Sequence, residues 1–222
     1  MRGTVIRAQR RLYAMTHQYD AVVFDLLSAL LDSWTLWDDL AGDPMLGRKW
    51  RMHYLDLTYR TREYQSYLQL VSESAIAVGV ATAQADHLAD RWSELTPWPE
   101  ATETLVELAS RIKIGVVTNC SQELGLDAVS RLGIDFDIVL SAERAGYYKP
   151  DPRIYEKAIE EIGETPERIL YVAGSPYDVR GAANSGMPVY WHNRIGLIDD
   201  EASSIAIRAS DTLSDIRAHV TP

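Results

Sequence analysis

The run "AVVFD" at 21–25 ends four apolar residues on a carboxylate, Asp25. Such a group either caps the next turn or acts as a nucleophile, forming an ester that splits one hard displacement into two easier steps. Three more polar segments follow apolar runs: "TNCS" at 118–121, "YYKPDPRIY" at 147–155 and "AGSPYDVRGAANSG" at 173–186. Lys149 supplies a fixed positive charge on a Lys-Pro turn that aims its side chain. A cation within about 4–6 Å holds a carboxylate ionised. Thr118 and Asn119 place a hydroxyl and an amide beside the start of a predicted helix, which suits an anion as well as a cap. Asp178 stands near another helix start, where it orients or deprotonates a water or interacts with the helix dipole.

The elements that must position these residues are short. Apolar runs at 21–25, 114–118, 136–140, 169–173 and 188–191 read as strands of a parallel sheet covered on both faces. Helical patterns lie between them at about 100–111, 121–132, 152–163 and 177–185, and Gly133, Gly163 and Gly186 mark the ends of the last three. This alternation predicts a doubly wound α/β sheet, with all four polar segments at the strand ends that face one crevice. Residues 34–97 differ. They show no good strand and give helical patterns near 34–41, 44–61, 65–79 and 84–94, closed by "TPWPE" at 96–100. The expected organisation is an α/β core of 1–33 and 98–222, with 1–19 as an extension, and a helical cap of 34–97 inserted after the first strand.

Composition narrows the function. The chain has 222 residues, 46% hydrophobic and 24% charged, with net charge −10. No basic footprint marks it for nucleic acid, and no apolar run approaches the roughly 20 residues that span a bilayer. Arg2, Arg7, Arg10 and Arg11 enrich the start in positive charge, without the apolar stretch of a secretory signal. Met15 is a possible alternative start. The lone cysteine, Cys120, excludes an intrachain disulfide and points to a reducing cytoplasm. It reads as a small buried filler, because it has no histidine partner. The five histidines have no metal-ligand spacing, so neither metal nor cofactor is expected.

In order and content, these motifs resemble the haloacid dehalogenase superfamily from about residue 20 onward. "YYKPDPRIY" and "VVTNCS" look most like its L-2-haloacid dehalogenases. The resemblance implies that Asp25 is the nucleophile and Lys149 its charge partner. Tyr155 and Asp178 belong with water activation, and Ser175 is assigned to the same catalytic group. Asn119 and the cap's Arg51, in "KWRMHYL", hold substrate or leaving group, with Thr118 and Leu27 also at the substrate.

The departures are specific. Superfamily phosphatases carry an acid two residues after the nucleophile and a magnesium-binding Asp in the fourth motif. Here those positions are Leu27 and Gly174. Many dehalogenases place an aromatic, a Thr and a Ser where this chain has Leu27, Ala29 and Ala173. An Asp without an acid partner still displaces a group that leaves without needing a proton. Halide is one, and the already protonated amine of a strained cyclic imino acid, such as an azetidine carboxylate, is another. The expected function is therefore metal-independent hydrolysis at the α-carbon of a small 2-substituted carboxylate. Competing readings are a phosphatase with a rebuilt site and a non-catalytic binding module. Trp34, Trp37, Trp50, Tyr54 and Tyr59 are expected mostly in the cap core and at its interface with the sheet domain. The aromatic-rich cap also offers a surface for a homodimer.

Overall fold

The computed structural model describes residues 18–220. The arginine-rich start and Met15 lie outside the described residues. The described residues form eight strands: β1 Ala21–Asp25, β2 Leu31–Asp32, β3 Thr96–Pro97, β4 Lys113–Thr118, β5 Ile138–Ser141, β6 Ile169–Ala173, β7 Val189–His192 and β8 Arg208–Ser210. Six form one sheet in the order β5-β4-β1-β6-β7-β8, and every pairing in it is parallel. All five residues of β1 are buried, as a central strand covered on both faces requires. The chain runs from β1 to β4 and β5 on one side, then crosses to β6 and β7 on the other. Asp25 therefore ends the strand at the point of reversal, where open α/β sheets form their crevice.

The expected core helices are found at Ala101–Ala109, Gln122–Ser130, Pro152–Ile162 and Pro176–Asn184. Their starts follow from local chemistry. Ser121, Asp151 and Ser175 each accept a hydrogen bond from an N–H in the first turn of the helix they precede, and proline opens the last two. Gly163 ends its helix in the left-handed conformation at φ 71°.

The insert after β1 consists of four helices, α1 Ser33–Ala41, α2 Pro44–Thr61, α3 Tyr67–Val78 and α4 Thr82–Asp90. Asp32 and Asp43 cap the first two. The short antiparallel ribbon of β2 and β3 pairs the two ends of the insert. The sequence reading missed this ribbon because proline argues against a strand; β3 is short, and its Pro97 sits at the end. It also missed β8, whose residues lie at an exposed sheet edge and lack an apolar pattern.

The cap is tied down over the strand ends. Tyr54 Oη donates to Asn119 O at 2.6 Å and Trp92 Nε1 donates to Leu124 O at 2.8 Å. Tyr148 N donates to Arg62 O at 2.7 Å and Tyr148 Oη to Gln65 O at 2.9 Å, so the loop that carries Lys149 is held by the cap itself. Beneath the cap runs a chain of ring contacts, Trp37–Trp50 at 4.5 Å, Tyr54–Tyr67 at 5.5 Å and Tyr67–Trp92 at 5.9 Å. Trp34, Trp37, Trp50 and Tyr54 are buried and Tyr59 is partly so. These five aromatics form interior, as expected from the sequence for the cap core and its interface with the sheet domain.

Glycine sets one packing distance that matters for the site. A Cβ at Gly181, on the 176–184 helix, would stand 2.5 Å from Tyr155 Oη and 2.7 Å from Tyr155 Cε2. Only a bare backbone lets that phenol lie against the helix and reach Asp178. Gly181→Ala is expected to cost about 1–3 kcal/mol by overpacking and to lower activity with it. Urea unfolding and a steady-state assay check this. A variant of unchanged stability and activity would show that Tyr155 does not depend on this contact.

Candidate active site

Asp25 leaves β1 and turns its two oxygens to different tasks. Oδ2 accepts three hydrogen bonds, from Ser28 N at 2.9 Å, Ser28 Oγ at 2.6 Å and Ala29 N at 3.1 Å. This is the turn cap the sequence allowed. Oδ1 faces Lys149 Nζ at 2.8 Å. Cap and reactive group are thus both available in one side chain.

Lys149 Nζ lies between two carboxylates, 2.8 Å from Asp25 Oδ1 and 2.8 Å from Asp178 Oδ2. Its third contact is Tyr171 Oη at 3.1 Å, so all three ammonium protons have partners. Asn119 fixes the segment from which this side chain springs: its Oδ1 accepts from Lys149 N at 2.8 Å and its Nδ2 donates to Lys149 O at 3.0 Å. The Lys149–Pro150 peptide is cis. Asp178 is gripped from behind. Tyr155 Oη donates to its Oδ1 at 2.5 Å, and Tyr171 Oη lies 3.0 and 3.1 Å from its two oxygens. Ser175 Oγ accepts from Asp178 N at 3.3 Å as the helix cap.

The charges in this cluster are buried, and their protonation follows from that. Burial alone would raise Asp25, but the charge of Lys149 and the hydrogen bonds from Lys149 and Ser28 hold it below its ordinary 3.8. Asp178 is pushed above 3.8 by burial first, then by the negative charge of Asp25, against the pull of Lys149. Burial would lower Lys149, yet Asp178 and Asp25 raise it above its ordinary 10.5. The resting centre is therefore a carboxylate held ionised, a fixed ammonium and a second carboxylate made more basic.

Opposite this centre stands Arg51 on α2, only 4% exposed. Its guanidinium lies over Trp34 at 4.5 Å and Trp37 at 5.5 Å, and its Nε is buried without a hydrogen-bond partner. Burial lowers its pKa. A buried cation with faces of aromatic rings around it and no carboxylate at hydrogen-bond distance is prepared for an incoming anion. It shares one pocket with Asp25, Leu27, Ser28, Tyr54, Leu55, Tyr59, Tyr67, Asn119, Lys149, Ser175 and Asp178. The cavity volume is about 30 Å³. At roughly 10–15 Å³ for each water, it suits a ligand of few atoms.

Most residues expected from the sequence converge here, with two differences. Thr118 is buried and lies 3.5 Å from Cys120 Sγ, outside the pocket lining. The N-terminus of the 122–130 helix, expected beside it as an anion site, already holds Glu143 Oε2 on Gln122 N at 2.7 Å. Burial pushes the Cys120 thiol up to about 12, consistent with a packing role. Tyr171, Ser28 and Tyr59 were not singled out for chemistry. Tyr171 reads as an ordinary core position in "ILYVA", and only the pairing of the strands brings its hydroxyl to Lys149. Ser28 follows Asp25 by three residues, the spacing of a turn cap, and that was its one visible signal.

The residues do not fit the magnesium site of the superfamily phosphatases. Position 174 has no side chain, and a Cβ there would collide with Ser28 Oγ and stand 2.8 Å from both Ala29 N and Ser28 Cβ. The turn that binds Asp25 Oδ2 fills the space a fourth-motif carboxylate would need. Among the described residues, no group of three or more His, Cys, Asp or Glu is arranged to hold a metal.

Fold and site together define a capped α/β protein whose central strand ends in a buried carboxylate–lysine–carboxylate centre. Residues 22–192 match the family described as haloacid dehalogenase-like hydrolase, and the chain belongs to that family of enzymes. It is 30% identical over 200 residues to (S)-2-haloacid dehalogenase 4A of Burkholderia cepacia, covering 82% of this chain and 86% of that one. It is 29% identical over 199 residues to haloacetate dehalogenase H-2 of Moraxella sp. strain B, covering 82% and 89%. A solved dehalogenase with an intermediate complex superposes with a TM-score of 0.81 at 25% identity, over 92% of this chain and 98% of the other. Among the described residues, no helix is long and apolar enough to cross a membrane.

The opposed shifts of the two carboxylates set the expected pH response. As pH falls, Asp178 takes a proton first, because it is raised and Asp25 is lowered. A carboxyl titration of the free enzyme is expected to show Asp178 protonating with a midpoint above 3.8 and Asp25 below it. Loss of the higher midpoint in Asp178→Asn checks this, and its persistence there would assign it to Asp25 instead.

Proposed function

We propose that the protein is a metal-independent hydrolase that replaces the 2-substituent of a small carboxylic acid, with halide as the leaving group. The observation that carries this reading is the pairing of an ionised Asp25, free at Oδ1 except for Lys149, with a buried Arg51 that lacks an anion. The dehalogenase names of its relatives point the same way.

The steps follow from the groups present. Asp25 Oδ1 attacks the α-carbon, a C–O bond forms, and the halide leaves with the bonding pair. No proton is needed, so Leu27 can serve by shape and by excluding water. Arg51 receives an anion, and Lys149 keeps Asp25 ionised until it reacts. Asp25 and Asp178 balance Lys149 and Arg51 before substrate enters. Alkylation moves the charge of Asp25 onto the halide, so the total is conserved through the step. Water then attacks Cγ of the ester while Asp178 takes a proton from it. Tyr155 and Ser175 hold Asp178 in place. The amide of Asn119 is spent on the main chain of Lys149, so it acts through that residue. Thr118 supports the same strand end from outside the pocket.

In this reading, residues 34–97 form a cap domain on a core of 20–33 and 98–222. The enzyme acts in the cytoplasm, as its single cysteine suggests, and as a homodimer by analogy with related dehalogenases. One observation keeps an amine leaving group in view: Leu27 lines the pocket and offers a halide no hydrogen bond.

A substrate panel tests the proposal. The R and S forms of 2-chloropropionate, haloacetate, azetidine-2-carboxylate and a phosphate monoester are each assayed with chelator and with magnesium. Halide release that survives chelation, and falls by about 10⁴-fold or more in Asp25→Asn, is the expected result. Amine release alone would move the leaving group to nitrogen. Magnesium-dependent phosphate release would restore the phosphatase reading.

A further inference from the structure

Tyr59 is the pocket-lining group that the reaction above leaves unused. It lies on α2 eight residues after Arg51, about two helical turns or roughly 12 Å along the axis. Both side chains line the same pocket, with different neighbours. Arg51 lies over Trp34 and Trp37. Tyr59 stacks on Tyr177, the neighbour of Asp178, with ring centroids 4.0 Å apart. Its hydroxyl is buried and has no hydrogen-bond partner. Ser175 stands beside it and is placed to donate to its oxygen, and the negative charges of Asp178 and Asp25 act on it; Ser175 Oγ accepts from Asp178 N and keeps its own O–H for that bond, so the donor left unpaired is the O–H of Tyr59. Burial raises the phenol above its ordinary 10.0, so the group is a neutral O–H donor at any working pH.

A buried hydroxyl left unpaired costs free energy comparable to a lost hydrogen bond. Here it lines the same pocket as the nucleophile and the base. We propose that Tyr59 holds the hydrolytic water, donating a hydrogen bond to its oxygen while Asp178 accepts one of its protons. This rests on the ester reaction proposed above and assigns the cap a part in its second half. A water held at two points presents its remaining lone pair to Cγ of the Asp25 ester. The new C–O bond forms there as Asp178 takes one water proton. The tetrahedral centre then collapses, the bond from Cγ to the substrate oxygen breaks, and that oxygen takes the proton from Asp178. A 2-hydroxy acid is released, and the remaining proton leaves the Asp25 carboxyl for solvent. No group is oxidised or reduced.

The arrangement also divides labour between the two cap residues. Arg51 serves the displacement by receiving an anion. Tyr59 serves the hydrolysis, stacked on the neighbour of Asp178. Leu27 lacks any donor, so the cap supplies what the position two residues after the nucleophile does not.

Tyr59→Phe keeps the ring on Tyr177 and removes only the hydroxyl. The test is single turnover with 2-chloropropionate, quenched in time and read by intact-protein mass for the Asp25 ester, alongside Asp178→Asn as a trap. Tyr59→Phe is expected to slow ester hydrolysis by about 10- to 100-fold, so the ester accumulates, while alkylation stays within about threefold of wild type. If Asp178→Asn traps the ester but Tyr59→Phe hydrolyses it at the wild-type rate, or loses alkylation instead, the assignment to Tyr59 is overturned. If halide is released and Asp178→Asn traps no ester, the ester reaction itself fails, and with it the role proposed here.

Discussion

The ammonium of Lys149, 2.8 Å from each of two buried carboxylates, is the interaction on which the rest of the structure depends. Two negative charges this close cannot both remain ionised in a dry site without a cation between them. The cation in turn is tolerable only because its three protons are all bonded. Removing one partner from such a cluster leaves an uncompensated buried charge, which costs about 3–5 kcal/mol. The neighbourhood is built accordingly. Asn119 fixes the main chain of Lys149 with two hydrogen bonds, and Tyr155 and Tyr171 fix Asp178.

The fold brings these groups together from distant parts of the chain because each ends or follows a parallel strand. Parallel strands point their carboxyl ends the same way, so β1, β4, β5 and β6 deliver Asp25, Asn119, Lys149 and Asp178 to one rim. The cap closes that rim with Arg51 and Tyr59 and, through Tyr148, holds the loop of Lys149 by main-chain and side-chain hydrogen bonds. Gly174 lets the Ser28–Ala29 turn close on Asp25 Oδ2, and the same closeness removes the space for a metal-binding carboxylate.

Much of this was legible in the sequence. Continuous apolar runs identified the central strands, and proline and capping residues located most helix starts, because these signals are local. Asp25, Lys149 and Asp178 were found because the expected topology puts strand ends in one crevice. What was not legible depends on distance in space. Tyr171 becomes part of the site only through strand pairing, and Tyr59 only through the seating of α2 above Tyr177. Thr118 was drawn into the site by its place at a strand end, yet its hydroxyl turns to Cys120. The neck ribbon was hidden by Pro97, and the edge strand β8 carries no buried stripe to betray it.

The central claim is that Asp25 carries a covalent ester which water then opens at Cγ. A single turnover in heavy-oxygen water, with enzyme in excess, tests it most directly. Peptide mass analysis is expected to place the label in Asp25, with none in the hydroxy acid of that first turnover. Label found directly in the product, with Asp25 unlabelled, would mean that water attacks the substrate itself and that Asp25 is not the nucleophile.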